Sequence, residues 1–401
     1  MNAPVAAAGA VPQDGVSDAA IGLSGWRLFL IGVTCAVCVA NNYYSQPLLI
    51  QIASDLGMSK AMSGLAPTLT QAGIAAGMLF LLPLGDRIDN RRIVVTLLII
   101  QAGAMAAMSS TATASFFLAG ALGAGMCGIV TYLLPAYATR LVPADRRGAV
   151  TGTLATGIML GIMVGRSLAG IAGYAVGWRA VFGSAAAVTL IMALVMKRAM
   201  PRTPGLRTER YADLLVSLGT LVRDVPLLRR AALVQALSFG LFNALWVGVA
   251  LRLQGEPFNL NTREIGELAL VAITGALAAP LLGRLADRYD IAISVRLSFL
   301  MITLGWAAML IFPAGYVGVV SAMVLIGIGA TGSDVALRSA LYGLAPDIRM
   351  RLNSVYSFGT FAGGSLFSLM TPVILIHSGW STVCVVAIVA SVLGLILTPR
   401  R

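Results

Sequence analysis

Long apolar runs are the feature that most constrains how this chain can fold. Twelve of them follow one another, each long enough for a helix to cross a hydrocarbon layer roughly 30 Å thick. Backbone in lipid must satisfy its own hydrogen bonds, which leaves helices or a closed barrel, and the runs lack the alternation that barrel strands need. The prediction is an all-α integral membrane protein. The predicted transmembrane helices are 27–50, 61–84, 93–111, 114–139, 149–175, 178–197, 230–253, 264–283, 291–312, 315–344, 352–376 and 380–398.

Composition and charge narrow the class further. Charged residues make up only 11% of the chain, too few to cover the surface of a soluble domain. The net charge of +12 does not indicate a nucleic-acid partner, because the basic residues are spread over short loops between spans. Lys and Arg concentrate in the loops after even-numbered spans. This predicts a multi-pass protein of the cell (inner) membrane with both termini in the cytoplasm.

The chain divides into two similar halves. The dipeptide Asp-Arg at 86–87 recurs at 287–288, and Gly-Trp at 177–178 recurs at 379–380, at offsets of 201 and 202. Between the halves lies a basic, proline-containing stretch that is too polar to span a membrane. Such repeats are typical of transporters that bind substrate between two bundles. The predicted organisation is a disordered cytoplasmic tail (1–25), an N-terminal six-helix bundle (26–197), a cytoplasmic linker (198–229) and a C-terminal six-helix bundle (230–401).

The two Asp-Arg loops carry a recognisable signature, G-x-L-x-D-R-x-G-R-K. The copy after span 8 keeps Gly283 and Leu285, and both copies have an acid, Asp89 or Asp290, where the second Gly is usual. The chain thereby resembles the major facilitator superfamily, which implies twelve helices in two pseudo-repeat bundles and transport by alternating access. The loop acids face Arg side chains and are either a cytoplasmic latch that favours one state or topology determinants. The latch residues are Asp86, Arg87, Asp287 and Arg288.

Span 5 resembles the glycine pattern G-x8-G-x3-G-P-x2-G-G, which is found in family members that work as antiporters. In span 1, the run N-N-Y-Y-S-Q-P-L-L resembles the first span of the twelve-span drug and metabolite:proton antiporter branch. Arg166 replaces the Pro of the pattern. The resemblance implies a gating role for these glycines, whereas their spacing also suits close helix packing. The glycines are Gly152, Gly161, Gly165 and Gly170.

Ionisable residues deep in a span cost roughly 3 kcal/mol each and are candidate functional groups. Asp334 and Arg338 lie four residues apart in span 10, where an ion pair is natural. Asp334 is either a proton carrier or a permanent partner of Arg338 that positions helices. Arg166 is either an anion-binding group or a packing residue bonded to backbone carbonyls.

Polar side chains within apolar spans predict an aqueous cavity that a mixed polar and apolar ligand could occupy. Span 1 carries a run of amides and tyrosines, although its tyrosines could instead anchor the helix at the membrane surface. Aromatic residues of spans 7 and 11 could line the cavity or simply pack. The candidate cavity residues are Asn41, Asn42, Tyr43, Tyr44, Gln46, Gln71, Arg166, Gln235, Phe239, Asn243, Trp246, Phe358 and Phe361.

These patterns predict a secondary active transporter that exports a small organic compound (drug, metabolite or sugar-like) in exchange for protons. A uniporter or importer of a small organic anion, using Arg166 and Arg338, is the alternative. An integral-membrane enzyme is disfavoured because the sequence has one histidine and no nucleophile or metal-ligand motif. We expect no cofactor and no metal. The expected partners are a small-molecule substrate, protons and the lipid bilayer, and one chain holds both halves and should function as a monomer.

Overall fold

The computed structural model describes residues 24–59, 61–203, 210–272, 290–342, 344 and 349–398, which are helical and contain no β-strand. The helices of the first half are α1 (Gly25–Asn41), α2 (Leu49–Asp55), α3 (Leu65–Phe80), α4 (Asn90–Ser110), α5 (Ala114–Cys127), α6 (Val130–Arg140) and α7 (Arg147–Ala199). After them come α8 (Tyr211–Asp224), α9 (Pro226–Leu253), α10 (Thr262–Leu268), α11 (Ile291–Ile311), α12 (Tyr316–Tyr342) and α13 (Arg349–Leu397).

Seven helical segments of the described residues are long and apolar enough to cross a membrane. Two of them, α7 and α13, each contain two of the predicted spans. α7 has 53 residues, so a straight helix of this length would measure about 80 Å at about 1.5 Å per residue. The backbone leaves the helical conformation at Gly177 in α7 and at Gly379 in α13. These bends separate span 5 from span 6 and span 11 from span 12.

Two predicted spans are broken helices. Span 1 is predicted as one helix over 27–50, but α1 ends at Asn41, the chain turns through residues 42–48, and α2 continues. The turn coincides with the polar run and Pro47, whose ring and missing N–H disfavour a helix interior. Span 4 consists of α5 and α6. At the break, Gly128 lies directly against the Asn42 side chain, where an added Cβ would be 2.5 Å from the amide nitrogen.

Span 8 is only partly described. It begins with α10, where Asn261 and Glu264 form a capping box, and continues as a short 3-10 helix to residue 272. The remainder of the predicted span, 273–283, lies outside the described residues.

The predicted linker contains a helix. α8 buries Leu214 and Leu218, while the Tyr211 hydroxyl donates to the Phe80 carbonyl oxygen at 2.6 Å. The linker therefore packs at the end of span 2. We call this side of the molecule the linker side and the opposite side the far side.

The two halves contact each other at two places: span 2 packs against span 11, and span 5 packs against span 8. Toward the far side, Gly64 lies directly against Pro372, and Ser365 Oγ donates to the Thr68 carbonyl oxygen at 3.0 Å. A Cβ added to Gly170 would lie 2.7 Å from the Cα of Gly266. Backbones this close leave no passage between these pairs of spans on the far side.

Candidate functional site

A buried polar cluster, which we call the Arg166 cluster, connects the two halves. Arg166 in span 5 is only 1% exposed, and its Nε donates to Gln46 Oε1 of span 1 at 2.8 Å. Gln46 Nε2 and Gln71 Nε2, both of the N-terminal half, donate to Asn243 Oδ1 of span 7 at 3.4 and 3.0 Å. A continuous chain of hydrogen bonds therefore crosses from one bundle to the other.

Aromatic rings surround the Arg166 guanidinium. Its Cζ lies 4.2 Å from the Trp246 ring centroid, 4.4 Å from that of Tyr43 and 5.4 Å from that of Phe242. Such cation–π contacts contribute roughly 0.5–2 kcal/mol each. They stabilise the guanidinium charge, but its N–H donors lie in its plane and still need hydrogen-bond acceptors.

Several donors of the cluster have no acceptor. Both terminal nitrogens of Arg166 and the indole nitrogen of Trp246 are buried without a hydrogen-bond partner. The Arg166 and Trp246 side chains also line a cavity that has room for about one water molecule. The cavity is lined by Gln46, Pro47, Arg166, Trp246, Val249, Ala250, Ile265 and Ala269.

The glycines of span 5 explain how Arg166 reaches span 1. A Cβ added to Gly161 would lie 2.6 Å from the Ala36 carbonyl oxygen, and one added to Gly165 would lie 2.6 Å from Ala40 Cβ. Because the helices touch at these positions, the next residue, Arg166, lies beside Tyr43 and Gln46. The four motif glycines do not share one contact surface. Gly170 packs against span 8, and a Cβ at Gly152 would have open space around it.

A second polar cluster, the Asp334 cluster, joins spans 10 and 11. Arg338 Nε lies 2.8 Å from Asp334 Oδ2 and forms the ion pair that the spacing favours. The Tyr356 hydroxyl donates to Asp334 Oδ1 at 2.9 Å, and Arg338 Nη1 donates to Asn353 Oδ1 at 2.6 Å. Sequence reasoning missed Tyr356 and Asn353, although a polar residue within an apolar span is a signal that could have identified Asn353. The acid and its arginine are partly exposed, at 29% and 24% of their side chains.

Aromatic residues also cross between the halves. Phe361 of span 11 packs edge-on against Tyr132 of span 4 and against Phe239 of span 7, with ring centroids 5.9 and 5.2 Å apart. Phe239 stacks on Phe242, which itself contacts Arg166. The predicted aromatic lining is therefore continuous with the Arg166 cluster at Phe239 and Phe361.

The structure places the other predicted cavity residues elsewhere. Asn41 Nδ2 donates to Thr189 Oγ1 at 2.8 Å inside the N-terminal bundle, and Tyr44 packs edge-on against Phe182. Because span 1 breaks at Asn41, the side chains of the polar run diverge instead of sharing one face. Asn42 packs at Gly128, Gln235 accepts from Ser333 at 3.1 Å, and Phe358 is 39% exposed. For Asn41, Asn42, Tyr44, Gln235 and Phe358, a role in a substrate cavity stays a prediction.

The predicted latch is only partly visible. Arg87 is half-buried at the end of span 2. The side chain of Asp86 lies outside the described residues, as do Asp287 and Arg288, and the latch remains a prediction.

The acids that replace the second Gly of each loop signature have a structural role that sequence reasoning missed. Asp89 Oδ1 accepts from the backbone N–H of Arg91 at 3.1 Å and from that of Thr203 at 3.2 Å. Asp290 Oδ1 accepts from the backbone N–H of Ala292 at 3.3 Å. Each acid is the N-cap of the following span. An Asp directly before a long apolar helix was the available signal.

Comparison with known proteins agrees with this architecture. The chain is 31% identical over 375 residues to the uncharacterized transporter YgaY of Escherichia coli K12, covering 94% of this chain and 95% of YgaY. It is 33% identical over 385 residues to the "Probable transporter SCO4007" of Streptomyces coelicolor, covering 94% and 88% of the two chains. A more distant relative, at 24% identity over 349 residues and 85% and 87% coverage, is the "Probable sugar efflux transporter" of Helicobacter pylori 26695.

The fold also matches a solved structure, that of a point mutant of the nucleoside transporter NupG. The TM-score is 0.73 at 15% identity, over 92% of this chain and 98% of NupG. The sequence matches the Major Facilitator Superfamily over residues 30–266 and 231–401. The helical architecture of the described residues, the relatives and the family match together identify a membrane transporter and not an enzyme. This chain belongs to the Major Facilitator Superfamily.

Proposed function

We propose that this protein is a secondary active transporter of the inner membrane that works by alternating access and exports a small organic compound in exchange for protons. The observation that carries the proposal is the chain of hydrogen bonds from Gln46 and Gln71 to Asn243, which joins the two halves at a buried polar centre. A substrate that binds there would compete for these bonds and so bias the relative position of the halves.

The contacts between the halves suit a rocking motion. Neutral amides exchange one partner for another at small net cost, since a typical hydrogen bond contributes only about 1 kcal/mol net. The glycine contacts of Gly64 and Gly170 hold the far side together by backbone packing without a charge pair. Separating these surfaces would therefore break no ion pair of the described residues.

Charge distribution supports an orientation with the linker side in the cytoplasm. Basic residues at membrane-span ends prefer the cytoplasmic side. On the far side the described short loops carry Arg179 and Arg263. The basic residues of the described loops on the linker side are Arg87, Arg91, Arg92, Arg146, Arg147, Arg198 and Arg202.

Proton coupling is assigned to the Asp334 cluster. The acid is ion-paired yet partly exposed, so that water-borne protons can reach it. Protonation would remove the charge that holds Arg338 Nε and leave Arg338 bonded to Asn353 of span 11. The change would alter how spans 10 and 11 are held together.

The direction of transport is supported by the similarity to the sugar efflux relative and by the antiporter-like glycine pattern of span 5.

The test is a protection screen in a host that lacks its main efflux pumps. Cells would carry the parent chain, Asp334→Asn, the control Asp213→Asn in the exposed face of α8, or empty vector, and would be challenged with toxic compounds and metabolites. We expect protection by the parent and the control and none by Asp334→Asn at equal membrane expression. Protection that survives in Asp334→Asn would contradict coupling through this acid.

Uptake of a small organic anion is a second candidate function, favoured by the unpartnered terminal nitrogens of Arg166. Arg338 is less suited to this role because Asp334 and Asn353 occupy its donors. The same screen separates the two functions. If the parent raises accumulation of a compound, export is the wrong direction.

A further inference from the structure

We propose that the transported compound carries a carboxylate on an apolar or aromatic body, and that Arg166 binds this carboxylate with help from the indole N–H of Trp246. The inference rests on the proposed function only in assuming that a substrate binds between the halves; it is independent of direction and of proton coupling. It assigns a ligand class to the Arg166 cluster.

The first step is the unmet hydrogen bonding of Arg166. A guanidinium has five N–H donors in one plane, and in this structure only Nε has an acceptor. The side chain is 1% exposed, so bulk water does not reach the other four. A buried charge with unpaired donors is strongly unfavourable. The aromatic faces offset part of this cost, but they do not accept in-plane N–H bonds.

The second step is that the protein supplies no counter-ion. In the described part of the chain, no Asp or Glu pairs with Arg166, and the acid of span 10 is bonded to Arg338. The cluster offers amides instead, and Gln46 is the one that contacts the guanidinium. Arg166 is therefore one half of an ion pair whose anion must come from a ligand.

The third step identifies the anion by geometry. The planar fork of an arginine matches the two oxygens of a carboxylate, which it can bind through two parallel hydrogen bonds. Trp246 Nε1 is a further buried donor without an acceptor, and the Trp246 side chain lines the same cavity as Arg166. Three aromatic rings lie close to the guanidinium, and a carboxylate would approach along the edge that carries the terminal nitrogens.

The fourth step concerns the rest of the ligand. The surface of the cavity is apolar, and Pro47, Val249, Ala250, Ile265 and Ala269 contribute to it. A polyhydroxylated compound would lose hydrogen bonds to water here and regain few. An apolar or aromatic body attached to the carboxylate fits this wall.

The fifth step distinguishes a substrate from a permanently bound ion. Spans 1 and 5 of one half and spans 7 and 8 of the other all contribute to the cavity, which has room for only about one water molecule. A carboxylate with an organic body can enter only when the halves separate at this point. Its binding is therefore linked to the conformational change of transport.

The test measures binding to the purified full-length protein without any proton gradient. Thermal stability would be followed with benzoate, phenylacetate and 4-methylpentanoate, each beside its neutral amide, and with sodium chloride and sodium sulfate. We expect at least one carboxylate, but not its amide, to raise the melting temperature in a saturable way. The control Arg263→Gln, which removes an exposed arginine of span 8, should keep the same response.

Arg166→Gln should weaken carboxylate affinity about 10- to 100-fold, the effect expected from losing charge-assisted hydrogen bonds. Trp246→Phe keeps an aromatic ring and loses the indole donor, so it should weaken carboxylate affinity several-fold. This variant provides the test if Arg166→Gln does not fold. Equal responses to acids and amides, no response to any acid, or a response that inorganic anions reproduce would each overturn the proposal. Failure of the export screen would leave this equilibrium measurement unaffected.

Discussion

Gly177 and Gly379 adopt the same left-handed backbone conformation, φ +80°, at equivalent bends of the two halves. Each is followed by a buried tryptophan, Trp178 or Trp380. The offset of 202 residues that the sequence shows therefore corresponds to a shared backbone geometry. Glycine adopts this conformation without the steric cost that a Cβ imposes, which explains why both halves have glycine at the bend.

Replacing either bend glycine by alanine should destabilise the protein. Both glycines combine a positive φ with an extended ψ (158° and 175°), a region that costs a non-glycine residue about 1–3 kcal/mol. No atom lies within 4 Å of the added Cβ at either position, so this cost is conformational. Thermal unfolding of Gly177→Ala and Gly379→Ala should show similar decreases in melting temperature. Gly103→Ala, in the interior of α4 with open space around its Cβ, is the matched control and should not decrease it. Unchanged stability of both bend variants would refute the argument.

The membrane spans could be predicted, and Arg166 could be identified as an unusual residue within one, because both depend on local sequence. An apolar run of sufficient length spans lipid whatever its neighbours are, and a charge inside such a run needs a special environment. The choice between Gln46 and Asn41 as interface residues could not be predicted. It depends on where span 1 leaves the helical conformation, and beyond that point the helical period no longer assigns side chains to faces.

The partners of Arg166 were also beyond sequence reasoning. Trp246 and Asn243 belong to a span in the other half, and their contact with span 5 is decided by how closely the bundles approach. The glycine pattern of span 5 indicated close packing but not against which helix. Gly165 contacts span 1, whereas Gly170, five residues later, contacts span 8.

Removing the N-cap of span 3 should weaken the start of that helix. Asp89→Ala leaves the backbone N–H groups of Arg91 and Thr203 without their acceptor, and the loss of such a cap costs about 0.5–2 kcal/mol. Melting temperature should fall for Asp89→Ala and for the equivalent Asp290→Ala. Asn is also a good N-cap, so Asp89→Asn should stay close to the parent. Equal loss in Asp89→Ala and Asp89→Asn would instead point to the charge of the acid.

Enlarging a contact glycine of span 5 should separate it from span 1. A Cβ at Gly161 would lie 2.6 Å from the carbonyl oxygen and 2.7 Å from the Cα of Ala36, both backbone atoms that cannot turn aside. Overpacking of this kind costs about 1–3 kcal/mol and would move Arg166 away from Gln46. Gly161→Ala should therefore lower both melting temperature and carboxylate affinity. Gly152→Ala, on the same helix with nothing within 4 Å, should change neither, and an equal effect of both would contradict the packing interpretation.

Supplying the missing anion from within the protein should lock the Arg166 cluster. Gln46→Glu places a carboxylate oxygen where the Gln46 oxygen already accepts from Arg166 Nε at 2.8 Å. It replaces the long 3.4 Å donation to Asn243 by a contact between two acceptor oxygens, which is weaker at this distance than the gain from the ion pair. The new ion pair should raise the melting temperature and abolish the response to added carboxylates, because the guanidinium is then neutralised. Gln71→Glu is the matched control. It adds the same charge to the same cluster, but Gln71 donates to Asn243 Oδ1 and is not bonded to Arg166. In that variant a carboxylate oxygen at position 71 would face Asn243 Oδ1. Two acceptors repel each other, so the melting temperature should fall. If Gln46→Glu also lowers the melting temperature, and carboxylates still bind to this variant, the proposal that Arg166 binds the carboxylate of a ligand is wrong.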